Sequence, residues 1–101
     1  MPSTAKTVSS LTVTDIADYL RLAELTQADE SLLTTILGAA KDYVYKYTGL
    51  TPLQVDSYLD ITIAVYVLCQ DMFDTRAYYV DTSNVNQVVE SILGLHSVNL
   101  L

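Results

Sequence analysis

The segment from Asp56 to Thr75 constrains the fold most, because apolar residues occupy nearly its whole circumference when it is drawn as a helix. One face carries Ile61, Ala64, Val65, Leu68 and Met72, and a roughly opposite face carries Leu59, Ile63, Tyr66 and Phe73. A helix that is apolar all round is either central in its fold or buried by a partner. In a chain of 101 residues the other helices can hardly cover it, so we expect a subunit interface here.

Three further segments have helical periodicity and end signals. They run from Thr14 to near Glu24, from Thr26 to Gly49, and from Asn84 to Gly94, each beginning at a Thr or Asn that can cap a helix N-terminus. The sequence therefore predicts an all-α fold. We expect a small bundle of about four helices whose third helix is long and largely apolar.

The length fits one domain, and the termini differ from the rest of the chain. Residues 1–10 are small and polar, which predicts a flexible N-terminal arm before a helical domain over residues 11–95. Residues 77–84 are polar and read as a loop. Residues 96–101 form a C-terminal tail, which we expect to be a flexible arm or short strand that docks on a neighbour.

The net charge of the chain argues against tight binding of nucleic acid. Five basic residues stand against twelve acidic ones, and the basic residues are scattered. A surface with a net charge of −7 repels phosphates, so we expect DNA to slide past without specific binding. The longest apolar run, Tyr58 to Cys69, contains Asp60 and is too short to span a bilayer. We expect a soluble protein, and with one cysteine a reducing cytoplasm suits it.

The residues that could carry catalysis are few. His96 is the single histidine, so a zinc site has no set of ligands, and no glycine-rich loop could cradle a phosphate. Cys69 lies in an apolar stretch without a cation to activate it. The aspartate pair Asp71 and Asp74 is typical of a solvated helix face. We therefore expect no enzyme activity, no cofactor and no metal.

Residues suited to protein interfaces are more numerous than residues suited to catalysis. The chain has eight tyrosines and no tryptophan. Tyrosine combines a large apolar area with a polar tip, which favours protein interfaces. Arg76, at the end of the apolar helix, could cap that helix through its guanidinium or fix an interface. The candidate interface residues are Tyr45, Leu59, Ile63, Tyr66, Arg76, Tyr78, Tyr79 and His96.

The order of these signals resembles phage head-tail connector (head-completion adaptor) proteins over roughly residues 11 to 95. The resemblance begins with Asp18-Tyr19-Leu20-Arg21-Leu22 and continues from Asp29 through Leu32-Leu33, Ala39-Ala40 and Tyr43-Val44 to Tyr47-Thr48-Gly49. It ends with the aliphatic helix from Ile61 to Leu68, the group Met72-Phe73-Asp74-Thr75-Arg76, and a short final helix.

This resemblance implies a ring of identical subunits bound beneath the portal of a filled capsid. Such a ring continues the DNA channel and presents a surface to the tail or to a stopper connector. The resemblance thus implies a virion protein at the head-tail interface, present in the host cytoplasm during assembly.

Two alternatives remain at this point. A small helical protein-interaction or regulatory module would have the same composition. An acyl-carrier-like protein is suggested by Asp56-Ser57-Tyr58-Leu59, which resembles the Asp-Ser-Leu site at which Ser57 would bear phosphopantetheine. Capping of a helix by Asp56-Ser57 would explain the same residues.

Overall fold

The computed structural model describes residues 6–98, and every regular element in that range is helical. The helices are α1 (Val13–Tyr19), α2 (Gln27–Thr48), α3 (Pro52–Asp56), α4 (Leu59–Thr75) and α5 (Gln87–His96), preceded by a 3-10 turn at Val8–Ser10. The prediction of an all-α helix bundle is confirmed. None of the helices in this range is long and apolar enough to cross a membrane.

The core lies between α2, α4 and α5, with α1 packed against α2 and α4. The inner face predicted for the apolar helix is buried as expected, namely Ile61, Ala64, Val65, Leu68 and Met72. The molecule is only 20 Å thick in its shortest dimension. Since a helix with its side chains is roughly 10–12 Å across, this thickness holds two layers of helices. Helix α4 can therefore be covered by other helices on its inner side while its outer side stays exposed.

Helix α1 differs from the prediction at both ends. Its N-cap is Thr12 rather than Thr14, because the Thr12 hydroxyl accepts from the Asp15 N–H at 3.2 Å while the Asp15 carboxylate accepts from the Thr12 N–H at 2.9 Å. The helix ends at Tyr19, well before Glu24. The physical reason is Arg21, whose left-handed backbone (φ 60°) turns the chain out of the helix.

The start predicted at Asp56 is also wrong, because an extra helix occupies that position. Thr51 caps α3, Pro52 takes the first helical position and Gln54 completes a capping box. Ser57 is the C-cap of α3, and its hydroxyl donates to the Gln54 carbonyl at 2.6 Å. Helix α4 begins only at Leu59. Ser57 therefore lies between two helices, directly before Tyr58, the N-cap of α4.

Helix α5 begins and ends later than predicted. Asn86 is its N-cap, accepting from the Val88 N–H at 2.7 Å, whereas Asn84 belongs to the preceding turn and donates to Asp81. Helix α5 continues through Gly94 to His96. Two asparagines near one boundary make the cap ambiguous from sequence, and Gly94 does not end the helix because its backbone does not take the left-handed conformation that Gly49 has.

The predicted N-terminal arm does not extend to residues 6–10, which pack onto the bundle. Val8 is fully buried. The Lys6 carbonyl accepts from the Thr62 hydroxyl at 2.8 Å, and the Ser9 N–H donates to Asp56 at 3.0 Å. Residues 1–5, to which the rest of the predicted arm belongs, lie outside the described residues, as do residues 99–101 of the predicted tail.

Candidate interaction surface

The outer side of α4 leaves large apolar side chains uncovered. Leu59 and Ile63 are 51% and 53% exposed, and Tyr66 is half-buried. The three residues lie at positions i, i+4 and i+7, which places them in one row along the helix. We call Leu59, Ile63 and Tyr66 the α4 stripe. Helix α4 packs against α1, α2, α3 and α5, and the α4 stripe lies on its outer side.

Tyr19 of α1 extends the α4 stripe sideways. Its ring stacks on the Tyr66 ring with centroids 4.7 Å apart and planes 24° apart. Burial raises the pKa of the Tyr66 hydroxyl, and the negative charges of Asp15 and Asp18 raise it further, so the ring stays neutral. Tyr19 is the last residue of α1 and lies far from Tyr66 in the sequence. Its stacking on Tyr66 carries no local signal, because 47 positions separate the two residues.

The apolar character of this outer face stops halfway along α4. Gln70 and Asp74 are exposed on the last two turns. Phe73, predicted to share the face with the α4 stripe, is partly buried, and the Arg76 guanidinium lies 4.2 Å from its ring centroid. Arg76 ends the helix through its left-handed backbone (φ 56°), and its N–H donates to the Phe73 carbonyl at 3.2 Å. The guanidinium therefore covers an aromatic ring instead of capping carbonyls.

The remaining predicted interface residues do not join the α4 stripe. Tyr78 and Tyr79 are 62% and 67% exposed, but they follow the C-terminus of α4. A helix of 17 residues is about 25 Å long, so they lie far from Leu59. Tyr45 is partly buried against the core. The eight predicted residues thus fall on several parts of the surface, and the interface role of each stays a prediction.

His96, a predicted interface residue, contacts Asp60 and Tyr58 of its own chain. Its Nε2 lies 2.9 Å from both carboxylate oxygens of Asp60, and its ring stacks on Tyr58 with centroids 4.2 Å apart. The chain then passes over the end of α2, where the Val98 N–H donates to the Thr48 carbonyl at 2.8 Å. Residues 96–98 therefore join the end of α5 to the beginning of α4 and the end of α2.

Two features of the described residues bear on the chemistry that the sequence analysis considered, namely metal binding and the Cys69 thiol. Residues 6–98 contain no cluster of three or more His, Cys, Asp or Glu side chains suited to a metal ion. Cys69 is fully buried, and burial raises the pKa of its thiol to about 12, against a smaller opposing effect of Lys41. A thiol with that pKa is not a nucleophile at neutral pH.

Comparison with known proteins adds no relative to this picture. No protein-family model, no curated protein and no solved structure matches the chain.

Proposed function

We propose that this chain is a structural virion protein, one subunit of an oligomeric ring adaptor in a phage. The ring binds the portal of the capsid on one side and the tail or a stopper connector on the other, and it continues the DNA channel. Its mechanism is assembly and not turnover. The head-tail interface of the virion is its proposed location, reached by assembly in the host cytoplasm.

The exposed α4 stripe is the observation that carries this proposal. Leu59 and Ile63 are more than half exposed although they belong to the central helix of the bundle. Burying apolar side chains of this size against a second chain is favourable by roughly 1.5–3 kcal/mol each when burial is complete. A closed ring needs a heterologous interface, in which one patch meets a different patch of the next subunit. The α4 stripe supplies one such patch.

The charge and the helix order support the same proposal. A net charge of −7 suits a conduit through which DNA must pass without being held. Residues 11 to 95 also follow the order of helix and cap signals that resembles phage connector proteins.

The proposal is tested by binding to the portal ring encoded in the same genome. Purified portal rings and excess wild-type chain are mixed, and the complex is separated by gradient sedimentation and weighed by native mass spectrometry. We expect several copies of the chain to sediment with each ring. Ile63→Asp places a charge in the α4 stripe, and we expect it to reduce the bound fraction at least tenfold because a buried unpaired carboxylate costs several kcal/mol.

Val88→Asp is the matched control, since Val88 is 52% exposed on a different helix. It lies at the N-terminus of α5, where a negative charge is tolerated. Binding like that of the wild type is expected for Val88→Asp. Absence of wild-type binding to the portal ring would contradict the connector function, and full binding by Ile63→Asp would remove the α4 stripe from the interface.

A further inference from the structure

A groove at the C-terminal end of α4 is separate from the α4 stripe and played no part in the proposed function. It has a volume of about 480 Å³ and lies between the last turns of α4 and the segment that leads to α5. Its apolar lining comes from Leu68, Met72, Ala77, Val80 and Val85. A volume of this size is in the range of sites that receive a small molecule or an anchoring side chain.

The polar part of the groove carries negative charge only. Asp71, Asp74 and Asp81 line it, and no lysine or arginine of the described residues does. Burial raises the pKa of the Asp71 carboxyl, and the negative charge of Asp74 raises it further. Two carboxylates one turn apart on a helix repel each other, so a cation between them would stabilise both.

The described cations are occupied elsewhere or lie on other parts of the surface. Lys6 pairs with Asp15 at 3.6 Å, and Lys46 pairs with Asp42 at 3.0 Å. Lys41 donates to the Leu11 carbonyl, and the Arg76 guanidinium lies over Phe73. Arg21 lies in the turn after α1. Within residues 6–98, the groove therefore has no internal counter-ion.

Asp81 differs from the other two carboxylates because it organises the wall of the groove. Its carboxylate accepts from the Ser83 hydroxyl at 2.6 Å and N–H at 3.1 Å, and from the Asn84 amide at 3.1 Å. The Ser83 and Asn84 side-chain hydrogen bonds, with that of the Ser83 backbone, lower the pKa of Asp81. Asp81 therefore stays ionised at neutral pH and adds to the negative potential.

We propose that this groove receives an arginine side chain carried by an apolar segment of a partner protein. The aliphatic stem would lie on Leu68 and Met72, and the guanidinium would reach Asp71 and Asp74. Arginine fits better than lysine, because its planar guanidinium has five donors, is weakly hydrated and can stack on an aromatic ring such as Tyr79, which also lines the groove. This inference does not depend on the connector function.

The probe is the peptide acetyl-Ala-Leu-Arg-Leu-Ala-amide, titrated into the full-length, ¹⁵N-labelled chain and followed by amide chemical shifts. We expect saturable shifts confined to the last two turns of α4 and to residues 77–86. The same peptide with citrulline in place of arginine keeps the shape and loses the charge. We expect it to bind at least about tenfold more weakly, as for loss of a charge-assisted hydrogen bond.

The double variant Asp71→Asn/Asp74→Asn should also weaken the arginine peptide at least about tenfold, and it should fold well because it removes a repulsive pair. Asp18→Asn, an exposed aspartate outside the groove, is the matched control and should bind like the wild type. The proposal is overturned by equal binding of the two peptides or by unchanged binding to the double variant. Shifts spread beyond the groove, no binding at all, or saturation of the groove by spermidine but not by the peptide would overturn it as well.

Discussion

At the scale of single residues, the capping box of α1 makes the clearest electrostatic contribution. The Asp15 carboxylate is only 18% exposed, accepts from the Thr12 N–H at 2.9 Å and lies 3.6 Å from Lys6. Burial alone would raise the pKa of Asp15, but the hydrogen bonds from Thr12 and the charge of Lys6 outweigh it and leave the pKa below 3.8. The ionised side chain is therefore part of the folded state.

Asp15→Ala should lower the free energy of unfolding by about 1 kcal/mol at pH 7, because the capping box is lost. A carboxyl whose folded-state pKa is below its unfolded value stabilises the fold above that unfolded value of 3.8. The contribution disappears as the pH falls through the folded-state pKa. Urea unfolding of wild type and variant at pH 7 and below pH 3.8 measures both quantities.

Asp18→Ala is the matched control for this prediction, because Asp18 is exposed near the C-terminal end of the same helix and contributes nothing to the cap. It should change the stability by less than about 0.5 kcal/mol. A destabilisation by Asp15→Ala that stays the same at both pH values would contradict the electrostatic account.

At the scale of helices, the buried faces follow from the sequence. In α2 and α4 the apolar residues recur with the helical period, and the buried residues of α4 include all five of the face predicted for it. Boundaries were harder to predict where two residues could serve equally. Thr12 and Thr14 both suit an N-cap, as do Asn84 and Asn86, and only the path of the chain selects between them.

The short helix α3 was missed although its sequence signals it. Thr51-Pro52 followed by Gln54 is a capping box with proline at the first helical position, a start signal that the four predicted segments leave out. The end of α1 had no such signal, because the left-handed residue there is Arg21 and not glycine. The pair His96 and Asp60 could not be predicted either, since 36 positions separate them.

The contacts of His96 hold the end of α5 against α4, which makes a prediction for the last described residues. In His96→Ala the hydrogen bonds to Asp60 and the stacking on Tyr58 are lost. The Val98 N–H should then leave the Thr48 carbonyl more often, and its hydrogen exchange should speed up at least about tenfold. Amide exchange measured by NMR follows this single group.

Ser91→Ala, at an exposed position on α5, is the control for His96→Ala and should leave the exchange of the Val98 amide unchanged. Global stability measured alongside separates local opening from unfolding. If the Val98 amide exchanges in His96→Ala as slowly as in the wild type, the histidine does not hold this segment.

At the scale of the whole molecule, the thickness of the bundle explains why the α4 stripe is open. A body 20 Å thick has room for two helix layers, so no third layer covers the outer side of α4. The sequence predicted more apolar surface on α4 than the other helices can cover. Leu59 and Ile63 are more than half exposed, which confirms this prediction. Tyr19 partly covers Tyr66, and Arg76 partly covers Phe73. Helical periodicity alone does not reveal these contacts.

The groove beside Asp71 could not be predicted from the sequence, because it forms between two segments of the chain. Its floor comes from α4, but its wall comes from residues 77–86, which have no periodicity from which a path could be predicted. Asp71 and Asp74 are exposed, as predicted for a solvated helix face, and residues 77–86 add apolar side chains beside them.

The central claim is that another protein chain covers the α4 stripe on assembly, and cysteine labelling tests it directly. Cys69 is fully buried with a thiol pKa of about 12, so it should not react in the folded chain. Ile63→Cys then introduces one reactive thiol in the α4 stripe, and Val88→Cys introduces one outside it. The measurement is the rate of maleimide labelling in the free chain and in the chain bound to portal rings. We predict that Cys at position 63 reacts rapidly in the free chain and at least tenfold more slowly in the assembled chain. Cys at position 88 should react at the same rate in both states. Equal labelling rates of position 63 in the free and the assembled chain would contradict the claim.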